Sequence, residues 1–302
     1  MILFRNRTKL YEEVGMADVL RDTGLYKDAW RRLKRSPAAL IAMGFIGFVV
    51  FLAIFGPYLT PHDPNLGNLM VRLKPPSATH WFGTDQLGRD VFSRVIAGTR
   101  ISLFIGVVAE LIALTIGVIM GTIAGFFGGW VDKLISRLIE ILSSFPFLLF
   151  ALAIMMVLGP GIINIFIAIG LLSWTNVARL IRGQVMRLKT SEYVMAARAA
   201  GANELSIIFK HLIPNCMSTI IVILTMDIPG AIMTETFFSY IGMGVRPPHA
   251  SWGKMLSESR MYMRTAPTYS IFSGLLLMLT VLAFNTFGDA LRDALDPRLK
   301  NK

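Results

Sequence analysis

The sequence is poor in the residues that build most catalytic and metal centres. Its 302 residues include one cysteine, Cys216, and four histidines, which excludes a disulfide framework and gives no zinc-ligand spacing. A G-x-x-x-x-G-K-[ST] phosphate loop is missing, because Pro248 stands where the glycine preceding Gly253 and Lys254 would be. G-x-S-x-G and H-E-x-x-H patterns are missing as well. We therefore expect no enzyme, no nucleotide site, no metal and no cofactor.

Charge is also scarce. Charged residues make up 16% of the chain and hydrophobic residues 54%, with a mean hydropathy of +0.59, whereas soluble domains are about 45–50% apolar and about 25% charged. This composition predicts a membrane protein. The first 38 residues are polar and basic, so we expect no cleavable signal peptide and a first apolar run that stays as an anchor.

Six apolar runs are long enough, or nearly so, to cross a bilayer core that takes about 20 helical residues. The predicted fold is an all-α integral membrane protein with spans at 38–57, 101–126, 141–158, 162–177, 216–240 and 269–288. Gly-Pro-Gly at 159–161 predicts a tight turn that makes the third and fourth spans a hairpin.

The basic residues predict the orientation of these spans. Of the 30 lysines and arginines, 21 fall on the side shared by both termini, and basic segments stay in the cytoplasm. Both termini are therefore predicted to be cytoplasmic. Because most of the net charge of +11 is explained in this way, the charge gives little support to nucleic-acid binding.

The long segment 58–100 is predicted to lie outside and to end in a surface helix that leads into the second span. Its apolar and charged positions alternate at helical spacing. The apolar face holds Val91, Phe92, Val95 and Ile96, and the charged face holds Arg89, Asp90 and Arg94.

Glycines recur every four residues in the second span, at Gly117, Gly121 and Gly125. Such spacing allows two helix backbones to approach closely. Helix packing is the interpretation we favour, with a gating hinge as the alternative.

Three acidic residues fall inside apolar spans: Glu110, Asp227 and Glu235. An ionisable group in hydrocarbon is costly unless it faces a cavity or a partner. Pro229 and Gly230 should also bend the fifth span. Asp227 and Glu235 are therefore candidate pore-lining residues, with an ion pair or hydrogen bond buried in the bundle as the alternative.

The stretch EYVMAARAAGANELSIIFKHLIPN, at 192–215, predicts two short helices joined by an elbow. Ser191 is placed to cap the first helix and Asn203 the second, and Gly201 is placed to end the first in a left-handed conformation. Four apolar residues of the second helix share one predicted face: Leu205, Ile208, Phe209 and Leu212.

This stretch resembles the Glu-Ala-Ala-x-x-x-Gly-x(9)-Ile-x-Leu-Pro loop of ATP-binding-cassette (ABC) importer permeases. Ala196, Ala197, Gly201 and Pro214 match that signature, while Met195 replaces its glutamate. Three further stretches resemble the C-type subunit of the dipeptide, oligopeptide and nickel permease family: HWFGTDQLGRDVFSR (80–94), FFSYIGMGVRPPHASWG (237–253) and FNTFGDALRDALDPRLK (284–300).

The resemblance implies a type I ABC importer transmembrane domain in a bacterial inner membrane. Its parts would be a tail (1–37), a first span with a long external loop (38–100), the transmembrane domain (101–290) with its coupling loop (191–215), and a second tail (291–302). The residues implied to contact the ATPase are Glu192, Ala196, Ala197, Gly201, Leu205, Phe209 and Pro214. With Met195 in place of glutamate, that contact is expected to rely on shape and apolar packing.

The implied partners are two ABC ATPase subunits, a homologous B-type permease, an extracytoplasmic peptide-binding protein and membrane lipid. The chain would form half of a pore for peptides, with oligopeptides favoured over dipeptides. The alternatives are nickel or another small solute, and an ion-coupled secondary transporter that uses Asp227 and Glu235 as proton sites.

Overall fold

The computed structural model describes residues 27–295, and the bundle they form is built from α-helices. After a short helix at 27–33, the helices in chain order are α1 (Pro37–Leu59), α2 (Val91–Phe127), α3 (Gly129–Ser143), α4 (Phe147–Leu158), α5 (Ile162–Leu188), α6 (Glu192–Ala199), α7 (Glu204–Tyr240), α8 (Trp252–Ser259) and α9 (Pro267–Leu295). A π-helical segment, Ile208–Leu212, lies within α7. Much of the predicted tails 1–37 and 291–302 lies outside the described residues.

Five of the described helices are long and apolar enough to cross a membrane: α1, α2, α5, α7 and α9. Helices α3 and α4 give a sixth span if they count together, but they are bent by 85° at the break between them. The span predicted over 141–158 is therefore divided between the end of α3 and α4, and the predicted loop 127–140 is mostly helix α3. Pro146 explains the break, because proline removes a backbone donor and disfavours helical backbone at the residue before it.

The turn between α4 and α5 is confirmed. Gly159 has φ 79° and Gly161 has φ 154°, conformations that glycine adopts without the steric cost of a Cβ. The side-chain amide of Asn164 donates to the carbonyls of Leu158 and Gly159, both at 2.9 Å. These contacts fix the hairpin between α4 and α5.

The predicted surface helix before the second span is the beginning of α2, which runs unbroken for 37 residues. It does not lie on a surface. Arg89, Asp90 and Arg94 are 4%, 2% and 0% exposed. The two arginines pair with carboxylates in a buried network described below, and Asp90 contacts His80 and Ser93. Asp90 begins the helix, where its Oδ2 accepts from the Ser93 backbone N at 2.8 Å.

Helix α2 packs most extensively against α5, and the glycine series lies in this contact. A Cβ added to Gly117 would lie 2.5 Å from Val177 Cβ, and one added to Gly121 would lie 2.5 Å from the Ala178 carbonyl oxygen. One added to Gly125 would lie 2.8 Å from the Arg182 carbonyl oxygen. The three glycines therefore permit the close approach of α2 and α5.

The bundle has two ends, which we name after their short helices. The α6 end holds α6, the C-terminus of α2 and the 27–33 helix, whose Ala29 and Leu33 pack with Leu291 and Leu295 of α9. The α8 end holds α8, the 60–90 segment and the α4–α5 turn, which lies beside Arg246. The described part of the second predicted tail, 291–295, is the last turn of α9.

Candidate functional site

We use the name elbow for the whole segment 191–215 at the α6 end, and this segment begins with α6. Ser191 occupies the N-cap position, but its hydroxyl donates to the Leu188 carbonyl at 2.6 Å and makes no cap bond. The predicted side-chain cap by Ser191 is therefore wrong. Val194 is fully buried and packs with Phe126 and Ile207, which anchors α6 against the bundle.

The end of α6 has the predicted left-handed glycine. Gly201 has φ 81°, and the Ala202 N–H donates to the Ala197 carbonyl while the Gly201 N–H donates to the Arg198 carbonyl, both at 3.0 Å. This pair of bonds is a Schellman motif. The predicted cap of the second helix is also confirmed, since Asn203 Oδ1 accepts from the backbone N of Ser206 at 2.7 Å.

The predicted single apolar face of α7 is divided in two. Leu205 and Phe209 are each 64% exposed, whereas Ile208 and Leu212 are buried in the bundle. The π-helical segment Ile208–Leu212 lies at this point, and a π turn changes which side chains share a face. Two large apolar side chains therefore project from the elbow.

The remaining residues predicted for this surface lie around them. Glu192, Ala196, Gly201 and Pro214 are exposed, and Ala197 is half-buried. Met195, which stands in place of the signature's glutamate, is 55% exposed. The elbow thus exposes the large apolar side chains of Met195, Leu205 and Phe209 among polar residues, and buried contacts hold its other side.

A cavity of about 320 Å³ opens in the middle of the bundle. Glu110 and Asp227 line it on opposite helices, and Ser173, Asn176 and Thr234 add polar groups. Glu110 is 2% exposed, and its Oε1 has no hydrogen-bond partner among the described residues, whereas Asp227 is exposed. Two intramembrane carboxylates therefore face one cavity with a mixed polar and apolar lining.

Glu235 does not line that cavity. It is fully buried, and its carboxylate accepts from Ser239 Oγ at 2.6 Å and from Ser102 Oγ at 3.3 Å. Ser102 in turn accepts from the backbone N of Trp252 at 3.1 Å. This corresponds to the alternative prediction, a buried hydrogen-bonded group, and it ties α2, α7 and α8 together.

A network of ion pairs closes the α8 end. Arg89 contacts Asp85 at 2.6 Å and Glu258 at 3.0 Å, and Arg94 contacts the same two carboxylates at 3.4 Å each. The Tyr269 hydroxyl donates to Glu258 at 2.8 Å. Burial raises the pKa of Glu258, but the Tyr269 hydrogen bond and the Arg94 and Arg89 charges outweigh it, so this pKa lies below its ordinary value.

The fold and these sites define a membrane transport subunit. Residues 113–301 match the family described as "Binding-protein-dependent transport system inner membrane component", and residues 24–76 match the N-terminal transmembrane domain of oligopeptide transport permease C. The chain therefore belongs to the family of binding-protein-dependent inner-membrane permeases. A chain of the methionine ABC transporter MetNI, in inward-facing conformations, has the same fold, with a TM-score of 0.54 at 17% identity over 67% of this chain and 96% of that one.

Its relatives are permease subunits named for peptide substrates. The dipeptide transport system permease of Bacillus subtilis strain 168 is 44% identical over 91% of this chain and 86% of its own. The oligopeptide transport system permease of the same strain is 44% identical over 93% and 92%, and the glutathione transport system permease of Pectobacterium atrosepticum is 41% identical over 94% and 95%. The chain is thus an ABC importer permease subunit, a multi-pass protein of the inner membrane.

Sequence patterns missed part of these sites. Glu110 was recognised as an intramembrane acid but not as a partner of Asp227, because periodicity within one helix does not show which other helix it faces. The Arg89 and Arg94 network was missed because charged residues opposite an apolar face are typical of a solvent-exposed side. The spacing of Asp85, Arg89 and Asp90 in the sequence does not distinguish a buried ion pair from charged residues that face solvent.

Proposed function

We propose that this chain forms half of the membrane path of an ATP-driven peptide importer. Relatives of 41–45% identity that carry the names dipeptide, oligopeptide or glutathione permease support a peptide substrate. Oligopeptides are favoured over dipeptides, and nickel or another small solute is the alternative within the same family. A homologous B-type permease supplies the other half of the path.

The α6 end lies in the cytoplasm, where the elbow binds one of two ABC ATPase subunits. The observation that carries this assignment is the exposed apolar surface of the elbow, with Leu205 and Phe209 each 64% exposed. Large exposed apolar groups on a rigid helical support are typical of a docking surface. When the ATPases close on ATP, the elbow moves with them and carries α5 and α7, which changes the side to which the path opens.

The cavity lined by Glu110 and Asp227 belongs to the translocation path, and its open side faces the second permease. At the opposite, extracytoplasmic end, residues 246–268 and part of 58–100 receive a peptide-binding protein. The exposed His249 and Arg246 of that end border a further cavity of about 500 Å³.

Cysteine crosslinking tests the coupling assignment. Leu205→Cys and Phe209→Cys are expected to crosslink to the ATPase in the assembled transporter, and Leu212→Cys, whose position is fully buried, is the matched control that does not. The native Cys216 is buried and 1% exposed, so it adds little background. Labelling of position 205 by a membrane-impermeant reagent applied from outside would contradict the orientation.

An ion-coupled transporter is the second candidate, favoured by the two carboxylates in the cavity. The two candidates differ in their need for the ATPase. Peptide uptake that disappears when the partner ATPase is removed or loses its nucleotide site supports the importer. Uptake that persists and depends on a proton gradient supports the second candidate.

A further inference from the structure

Two histidines and an aspartate come together at the α8 end, apart from the elbow and the central cavity. His62 follows α1, His80 lies in the segment before α2, and Asp90 is the N-cap of α2. One ligand atom from each lies within 4.8 Å of the others. We propose that these three side chains form a binding site for one divalent transition-metal ion of the zinc type.

The distances suit such an ion. His80 Nδ1 lies 2.9 Å from Asp90 Oδ1, and His62 Nδ1 lies 3.9 Å from the same oxygen. Zinc bonds to nitrogen and oxygen of about 2.0–2.2 Å at tetrahedral angles place neighbouring ligand atoms about 3.3–3.6 Å apart. The two observed distances lie on either side of that range. The His62 side chain is 39% exposed, so a small rotation brings its nitrogen into position.

An unpartnered nitrogen points into the site. His62 Nδ1 is buried and makes no hydrogen bond within residues 27–295, although the rest of its ring reaches solvent. A buried polar atom without a partner is unfavourable. A metal ion held with His80 and Asp90 would supply the missing partner.

The other two ligands are already oriented. Asp90 Oδ2 accepts from the Ser93 backbone N at 2.8 Å and from Ser93 Oγ at 2.7 Å, which leaves Oδ1 facing both histidines. The His80 backbone N donates to Ser77 Oγ at 3.1 Å, and its carbonyl accepts from Gly83 N at 2.9 Å. The bonds to the Asp90 carboxylate are of the kind that orients a metal ligand, and the bonds of His80 fix the backbone from which its imidazole projects.

The site would join two parts of the bundle. His62 lies just beyond the end of α1, and Asp90 lies at the start of α2, so a bound ion connects the first span to the second through the 60–90 segment. Three protein ligands leave one zinc position for water or an added ligand. The spacing of residues 62, 80 and 90 matches no zinc motif, which explains why the sequence predicts no metal.

Zinc titration of the assembled transporter tests the site. The complex is purified through a tag without histidines, treated with a chelator and titrated with Zn²⁺ by calorimetry. His62→Ala and His80→Ala remove one ligand each. Asp90→Asn keeps an N-cap side chain of similar quality but removes the anionic ligand. His249→Ala, which removes an exposed histidine at the same end, is the matched control.

The proposal is supported if wild type binds zinc at one saturable site per chain. His62→Ala, His80→Ala and Asp90→Asn should each lower the zinc affinity by at least about tenfold, and His249→Ala should leave it unchanged. Zinc at about 100 times its Kd should also raise the melting temperature of wild type by about 5 °C, with no rise in His62→Ala. Absence of saturable binding, or equal affinity in wild type and His62→Ala, would overturn the proposal and leave an ordinary histidine–aspartate hydrogen bond. If His80→Ala fails to assemble, His62→Ala and Asp90→Asn decide the matter.

Discussion

The Schellman turn of the elbow gives a prediction about coupling that separates backbone conformation from surface contact. Gly201→Val should reduce peptide uptake per ATP hydrolysed. Gly201 has φ 81°, and, apart from its two chain neighbours, no atom of residues 27–295 lies within 4 Å of an added Cβ. The cost of valine is therefore conformational alone, about 1–2 kcal/mol for a residue with a Cβ in the left-handed region, and a β-branched side chain is an outlier there.

That penalty changes the ratio of the formed turn to its alternatives by about 5–30-fold. The elbow then no longer transmits the movement of the ATPase as one rigid body. Gly201→Asn is the matched control, because asparagine adopts the left-handed region readily while still adding a side chain to the surface. Coupled uptake should survive in Gly201→Asn.

Uptake and ATP hydrolysis are measured together in proteoliposomes that contain the complete transporter. Loss of coupling in valine but not asparagine supports a conformational role for the turn. Equal loss in both variants would show that the surface at Gly201 must stay free of side chains, and normal coupling in the valine variant would refute the reasoning.

Three other predictions concern the bundle. Gly121→Ala should lower the melting temperature, because overpacking against the Ala178 carbonyl is unfavourable by about 1–3 kcal/mol, whereas Gly183→Ala, with open space around its Cβ, should be neutral or stabilising. Asp227→Asn should lower uptake by about tenfold or more in a transport assay if this carboxylate lines the path, and unchanged uptake would remove it from the path. Glu258→Gln should destabilise the protein at pH 7 by about 3 kcal/mol, since the two buried arginines then share the one carboxylate of Asp85. Because the pKa of Glu258 is lowered from 4.5, its stabilising effect is present above 4.5 and lost as the pH falls through the lowered value, so thermal melts of wild type should weaken more on acidification than those of the variant.

The fold was largely predictable because long apolar runs have few alternatives to membrane-spanning helices. Local turns were also predicted correctly from the sequence. The left-handed Gly201, the Asn203 cap and the Gly159–Gly161 turn depend only on residues that are neighbours in sequence. The position of the third span was predicted less well, because a proline inside an apolar run can also end a helix. Pro146 divides an apolar run that hydropathy alone counts as one span, and it produces the 85° bend.

The candidate sites were less predictable because they depend on contacts between distant segments. Glu235 looked like a pore residue since it is an acid in an apolar run, but Ser102 lies 133 residues away in sequence and supplies a hydrogen bond. His62 and His80 have no local pattern, and only folding of the 60–90 segment brings them to Asp90. Asp227 was singled out on the same ground as Glu235, and it does line the cavity.

The unbroken length of α2 has a mechanical consequence. Its 37 residues span about 55 Å, at 1.5 Å per residue, well beyond a hydrocarbon core of about 30 Å. One unbroken helix thus runs from Asp90, next to the ion-pair network, to Gly128, beside the elbow. A tilt of about 10° around one tip displaces the other tip by about 10 Å. A tilt of α2 would therefore move its two ends together, because no loop interrupts the helix between them.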